Sequence, residues 1–269
     1  MVATSFRVRP GARVRLDRQD PADTSAVRGS KRAASAACDR LSARLDHLQE
    51  LLYADHRFGV LIVLEGMDAA GKDGTIRQVF RGVNPQGVRV THFGVPTAVE
   101  RDHDFLWRIH PHAPAKGEIV IFNRSHYEDI LVPHAARTAP KEVWKRRYRM
   151  VTEFERTLVR EGTTVLKFFL HISEAEQKRR LQARLDDPTK HWKFSVQDLP
   201  ARDLWPEYQH AYEELLGRTS TRWAPWYIVP SDKKWFRDWV VSNVLVETLA
   251  KLDLHWRPLP SEWKGVVIR

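Results

Sequence analysis

From residue 59 onward the chain alternates short apolar runs with amphipathic stretches in a regular order. Val60 to Leu64 is an unbroken apolar run that ends in a glycine-rich turn, the pattern of a strand buried on both faces. Val88 to Phe93, Glu118 to Phe122, Thr163 to Ile172 and a short Trp226 to Val229 predict further strands. Helical periodicity fills the gaps over Gly74 to Arg81, Glu100 to Ile109, Lys141 to Arg160, Ala175 to Leu185, Leu204 to Leu216 and Trp235 to Leu252. Strands alternating with helices predict an α/β fold with a parallel sheet covered on both faces. Ligands on such sheets bind at the carboxyl ends of the strands.

Ahead of this core, Ser30 to Asp55 reads as one amphipathic helix, because Leu41, Leu45, Leu48 and Leu52 recur at helical spacing. It is expected to pack on the core or on another subunit. The first 30 residues carry Arg7, Arg9, Arg13, Arg15, Arg18 and Arg28 among Gly, Pro and Asp without periodicity, which predicts an extended or partly mobile arm. The expected division is an arm and helix over 1–57, a core over 58–257 and a tail over 258–269.

Composition narrows the class. The 269 residues are 42% hydrophobic and include 10 tryptophans, ample for a packed interior. No run approaches the roughly 18 to 20 apolar residues of a membrane span, and the N-terminus lacks a signal-peptide pattern, so no membrane partner is expected and a cytoplasmic location is. Cys38 is the only cysteine, which excludes an internal disulfide and a Cys-rich zinc site; a small residue on a helix face is its expected role. The net charge of +10 draws anions without choosing among them.

The choice comes from Gly66-Met-Asp-Ala-Ala-Gly71-Lys72-Asp73-Gly74-Thr75, which follows one apolar strand and precedes a helix. This is a Walker A frame. Its glycines turn backbone N–H groups toward phosphate oxygens, the helix adds its positive end, and Lys72 adds a point charge. Gly66, Ala69, Ala70, Gly71, Asp73, Gly74 and Thr75 are therefore candidate phosphate-binding positions. Asp73 stands where the ordinary motif has the Mg²⁺-ligating Ser or Thr. Asp68, inside the loop, would repel phosphate unless neutralised. It is expected to work with Mg²⁺ or with the incoming phosphate; the plainer alternative is capping of the loop backbone.

A second apolar strand ends in Phe122-Asn123-Arg124-Ser125, like a Walker B motif with Asn in place of its Asp. Glu128 and Asp129 can restore the missing charge at a metal, so Asp68, Glu128 and Asp129 are the candidate metal ligands. Arg124 is expected to face the cradle. The alternatives are Asn123 as a helix cap and Glu128 and Asp129 as solvated helix residues. Lys178 to Lys193 carries six cations against Asp186 and Asp187, a candidate basic lid over about 175–203 with Arg179, Arg180 and Arg184 as phosphate ligands, against the alternative of a solvated face. Gly94, Pro96 and Thr97, after the second strand, edge a candidate nucleotide pocket with Asn123 and Glu128, or are plain turn residues.

These residues resemble the second family of polyphosphate kinases, whose core is similar to that of thymidylate kinases. The resemblance covers about residues 31–257. It rests on Leu64-Glu-Gly-Met-Asp-Ala-Ala-Gly-Lys-Asp-Gly-Thr75, Phe122-Asn-Arg-Ser-His-Tyr-Glu-Asp129, the basic lid, and Asp198-Leu-Pro-Ala-Arg-Asp-Leu-Trp205 with Tyr208 and Tyr212. It implies a P-loop kinase three-layer sandwich and reversible phosphoryl transfer between inorganic polyphosphate and adenine nucleotides. Mg²⁺ is the implied cofactor, with Mn²⁺ as the alternative ion. Carried over, the phosphate-binding and catalytic roles fall on Asp68, Lys72, Arg124 and the lid arginines. Asn123 resembles the subgroup that accepts both AMP and ADP. Family members are oligomers, which implies a homodimer or homotetramer here.

Two rivals remain at this level. An ATP-dependent nucleoside monophosphate kinase would share cradle and lid, though Asp73 argues against ATP as obligatory donor. A non-catalytic nucleic-acid-binding protein would account for the charge, but no recognition motif supports it and no nucleic-acid partner is expected.

Overall fold

The computed structural model describes residues 2–27, 31–196 and 198–268. Its sheet is built from β1 (Gly59–Glu65), β2 (Val88–His92), β3 (Ile119–Asn123), β4 (Thr163–His171) and β5 (Trp226–Pro230), all parallel, in the order β2-β3-β1-β4-β5. The chain leaves β1 first to one side and then to the other, so the carboxyl end of β1 lies at the topological switch point where such sheets bind ligands. β1, β3 and β5 are buried at every position, as their unbroken apolar runs require. Register sets Asn123 opposite both Leu64 and His92, which brings three strand ends to one edge.

The helices are α1 (Val2–Phe6), α2 (Lys31–Asp55), α3 (Lys72–Val79), α4 (Ala98–Arg101), α5 (Glu128–Ala135), α6 (Lys141–Arg160), α7 (Glu174–Leu185), α8 (Asp198–Asp203), α9 (Trp205–Thr219) and α10 (Lys234–Leu249). Most follow the predicted spans closely; Ser30 and Arg28, part of the helix and arm readings, lie outside the described residues. The helix expected over Glu100–Ile109 is corrected. A capping box, in which the Thr97 hydroxyl accepts from the Glu100 N–H and Glu100 accepts from the Thr97 N–H, starts α4 early. The helix ends after Arg101, and the Asp104 carboxylate accepts the Leu106 N–H at 3.0 Å, offering the backbone a turn instead of a helix.

The N-terminal arm is docked, which corrects the expectation of mobility. Val8 donates its N–H to the Trp226 carbonyl at 2.8 Å, and Val8, Val14 and Leu16 are buried in the core. The arginines make the segment read as loose, but Val8 is held beside β5, and the Leu16 N–H donates to Glu213 of α9 at 2.7 Å. Leu45, Leu48 and Leu52 of α2 are buried too, and α2 packs on α10 of the same chain. Cys38 is half-buried on this helix, where burial pushes its thiol up to about 11.

Candidate active site

The phosphate loop begins at Gly66, whose φ of 149° belongs to glycine and whose missing side chain leaves room for the Leu170 carbonyl, 2.8 Å from where a Cβ would sit. Gly71 caps α3 with φ 111°, and a Cβ there would fall 1.9 Å from Arg237 Nη1. Ala69 is also left-handed, at φ 61°. These turns leave the Ala69 and Ala70 carbonyls in need of donors. Arg180 Nη1 supplies both, at 3.0 and 2.9 Å, while its Nη2 donates to the Ser231 carbonyl at 2.6 Å. Gln177 Nε2 donates to the Asp68 carbonyl at 3.0 Å. α7 therefore holds the loop from its outer side.

On the inner side, Lys72 Nζ donates to the Gly66 carbonyl at 2.6 Å, lying back over the loop it serves. Burial lowers its pKa, with Arg124 adding repulsion and Asp68, Glu128 and Glu65 opposing. Arg124 follows β3 in a left-handed conformation at φ 63°, and its N–H donates to the Leu64 carbonyl at 3.2 Å. Its guanidinium pairs with Asp68 and stands 3.9 Å from Glu128. Burial opposes its charge, but Glu128 and Asp68 outweigh that and raise its pKa. Asn123 Nδ2 donates to Asp73 Oδ1 at 2.6 Å, tying the end of β3 to the start of α3.

Asp68, Ala69, Gly71, Lys72, Asp73, Gly74, Asn123, Arg124, Arg179, Arg180 and Arg184 line one cleft of about 600 Å³, together with Lys190, Lys193 and Lys234. Cations crowd this cleft, and Asp68 and Asp73 are already paired with Arg124 and Asn123. Its charge suits an anion.

Some expected residues sit differently. The Thr75 hydroxyl is buried and donates to the Gly71 carbonyl at 3.1 Å, within α3, rather than into the cradle. Arg180 is 8% exposed and bound to loop carbonyls and to Glu176, so it positions the loop and is not a free cation. Asp129 is ion-paired at 3.1 Å with Arg108, whose burial demands a counter-ion, and this engages the carboxylate away from the Asp68–Arg124–Glu128 group. Gly94 and Pro96 offer carbonyls to Arg108 and Arg101, at 2.9 and 3.0 Å, and Thr97 caps α4. None of these three lines the basic cleft.

Two residues escaped the sequence reading. Glu65, the last residue of β1, is fully buried; burial, with Glu128 close by, pushes its carboxyl up to about 8, and Ser125 Oγ donates to it at 2.7 Å. An ionisable residue closing an apolar strand was the available signal. Arg237 is 2% exposed, paired with Asp238 at 2.7 Å, and packs against Gly71 and Gly74. It shares the buried face of α10 with Val240, Val241 and Val244, a cation placed at helical spacing in an apolar stripe.

A family profile described as Polyphosphate kinase 2 (PPK2) matches residues 28–255. The chain belongs to the polyphosphate kinase 2 family. A curated relative from Meiothermus ruber, named AMP/ADP-polyphosphate phosphotransferase, is 57% identical over 263 residues, covering 98% of each chain. Another from Rhodopseudomonas palustris, named ADP-polyphosphate phosphotransferase, is 44% identical over 79% of this chain and 78% of its own. The crystal structure of polyphosphate kinase 2 from Arthrobacter aurescens TC1 superposes with a TM-score of 0.92 at 41% identity, covering 96% of this chain and 92% of that one. This polyphosphate kinase 2 family member is thus a phosphotransferase with the P-loop kinase fold that its sheet order displays.

Proposed function

We propose that the enzyme transfers a phosphoryl group reversibly between inorganic polyphosphate and AMP or ADP, forming ADP or ATP. The observation that carries this reading is the cleft itself. A nucleotide's phosphates need a few cations, whereas here Arg179, Arg184, Lys190, Lys193 and Lys234 extend the positive wall beyond Lys72 and Arg124. A polymer of phosphates is the ligand class that such a wall suits. The names of the relatives support the same substrates.

In this reading Lys72 and the loop N–H groups hold the transferring group, and Arg124 neutralises its oxygens once substrate draws it from Asp68. Asp68 then orients the acceptor phosphate. Phosphoryl transfer is mainly positioning and charge neutralisation, so no enzyme nucleophile is invoked. The Gly94–Thr97 loop borders the nucleotide. Asp68 and Glu128, both close to Arg124, are the carboxylates that would hold Mg²⁺ once substrate draws the guanidinium away. When bound, it would supply further neutralisation of phosphoryl oxygens. The acceptor range is tested by incubating purified enzyme with polyphosphate, Mg²⁺ and either AMP or ADP and separating the products. AMP is expected to yield ADP and then ATP; product from ADP alone would overturn the dual-acceptor reading.

A further inference from the structure

On the flank of the sheet, away from the phosphate loop, α5 and α9 pack together and bring three metal-ligating side chains to one point. His134 comes from α5, and His210 and Glu214 lie one turn apart on the same face of α9. Each offers one ligand atom, and these atoms lie within 4.8 Å of one another. We propose that His134, His210 and Glu214 form a binding site for a divalent transition-metal ion of the zinc class, which ties α5 to α9.

The chemistry of the set selects the ion. Two imidazoles and a carboxylate suit zinc, cobalt or nickel and leave a position for water, whereas Mg²⁺ prefers oxygen ligands in an octahedron. Four-coordinate ligands at their usual bond lengths stand about 3.4 Å apart. His134 Nε2 and Glu214 Oε2 are already 3.7 Å apart. His210 is exposed, so rotation of its side chain completes the set without moving either helix.

The surroundings orient the ligands. The His134 ring stacks on Trp144, with centroids 3.8 Å apart and planes at 12°, and its Nδ1 stands 3.4 Å from the Tyr148 hydroxyl. With Nε2 on the metal, Nδ1 carries the proton and donates to that oxygen, the usual support of a ligating imidazole. Arg218 Nε donates to Glu214 Oε1 at 2.6 Å, which fixes the carboxylate while Oε2 faces His134. Access is open as well, since His210 and Glu214 line a cavity of about 1340 Å³ between α9 and the N-terminal arm.

The test is a Co²⁺ titration of the full-length, metal-stripped protein in excess Mg²⁺, followed by visible ligand-field absorption and by thermal melting. One equivalent is expected to give a four- or five-coordinate spectrum and a raised melting temperature. His210→Ala and Glu214→Gln should weaken binding by at least ~10-fold and abolish the melting shift. Because His210 is exposed, His210→Ala should melt like the wild type without Co²⁺. Absence of the spectrum in the wild type, or unchanged binding in His210→Ala, would overturn the proposal.

Discussion

Arg124, directly after β3, pairs with Asp68 inside the phosphate loop, so an acid and a cation that line the same cleft neutralise each other. In the proposed function this contact is a placeholder: an incoming phosphoryl group would compete with Asp68 for the guanidinium and free the carboxylate. Asp68→Asn should therefore fold normally, with unchanged circular dichroism, yet lose at least ~10²-fold in kcat, on the scale of a positioned acid or base. Near-normal turnover would remove Asp68 from the reaction.

Gly71→Ala tests the packing behind the loop. Alanine at φ 111° is strained, and its Cβ would collide with Arg237, which is buried and paired with Asp238 and so cannot easily move. A loss of ~1–3 kcal/mol from backbone strain is expected, with more from the collision, measured by denaturant unfolding. Activity should fall with it.

The arginines of α7 divide into two kinds. Arg180 satisfies carbonyls of the loop, so Arg180→Ala should destabilise by ~1–3 kcal/mol, as expected when buried acceptors lose their donor. Arg179 has a side chain 65% exposed and pairs with Glu176. Arg179→Ala should leave the melting temperature unchanged and raise the KM for polyphosphate. Parallel melting curves and kinetics separate the two.

Much of this site was legible in the sequence because it consists of local motifs. Glycines with positive φ, a lysine at the start of α3 and polar residues closing an apolar strand are fixed by neighbours in the chain. What escaped depends on distant partners. Arg180 reads as one more lid cation until Ala69 and Ala70 are seen to offer it carbonyls. Asp129 reads as a metal ligand until Arg108, buried across the fold, claims it. The docking of the arm escapes for the same reason, since the partners of Val8 and Leu16 lie on β5 and α9, at least 197 residues away. The α4 boundary failed locally, where the capping box and the Asp104 turn outcompeted helical periodicity.

Asp55 is one carboxylate expected to make stability depend on pH. Its carboxylate accepts from Arg57 at 2.6 and 2.7 Å and from the His255 N–H at 2.8 Å, joining the end of α2 to the C-terminal segment. The Arg57 hydrogen bonds hold its pKa well below the ordinary 3.8. A depressed carboxyl pKa stabilises the fold above the ordinary value and loses that effect as pH falls below it. Asp55→Asn should melt lower than wild type at pH ~7, and the gap should narrow as pH drops below 3.8. A gap independent of pH would contradict this assignment.

In the proposed function the phosphate loop and basic wall together pass phosphoryl groups from polyphosphate to a nucleotide. The most direct measurement is the initial rate of ATP formation from ADP, with Mg²⁺ and polyphosphate as sole donor, for wild type and Lys72→Ala. The account predicts turnover by the wild type and a loss of ~10²–10³-fold in the folded variant, the effect of one preorganised donor. A wild-type enzyme that needs ATP as donor, or a Lys72→Ala variant that turns over normally, would contradict it.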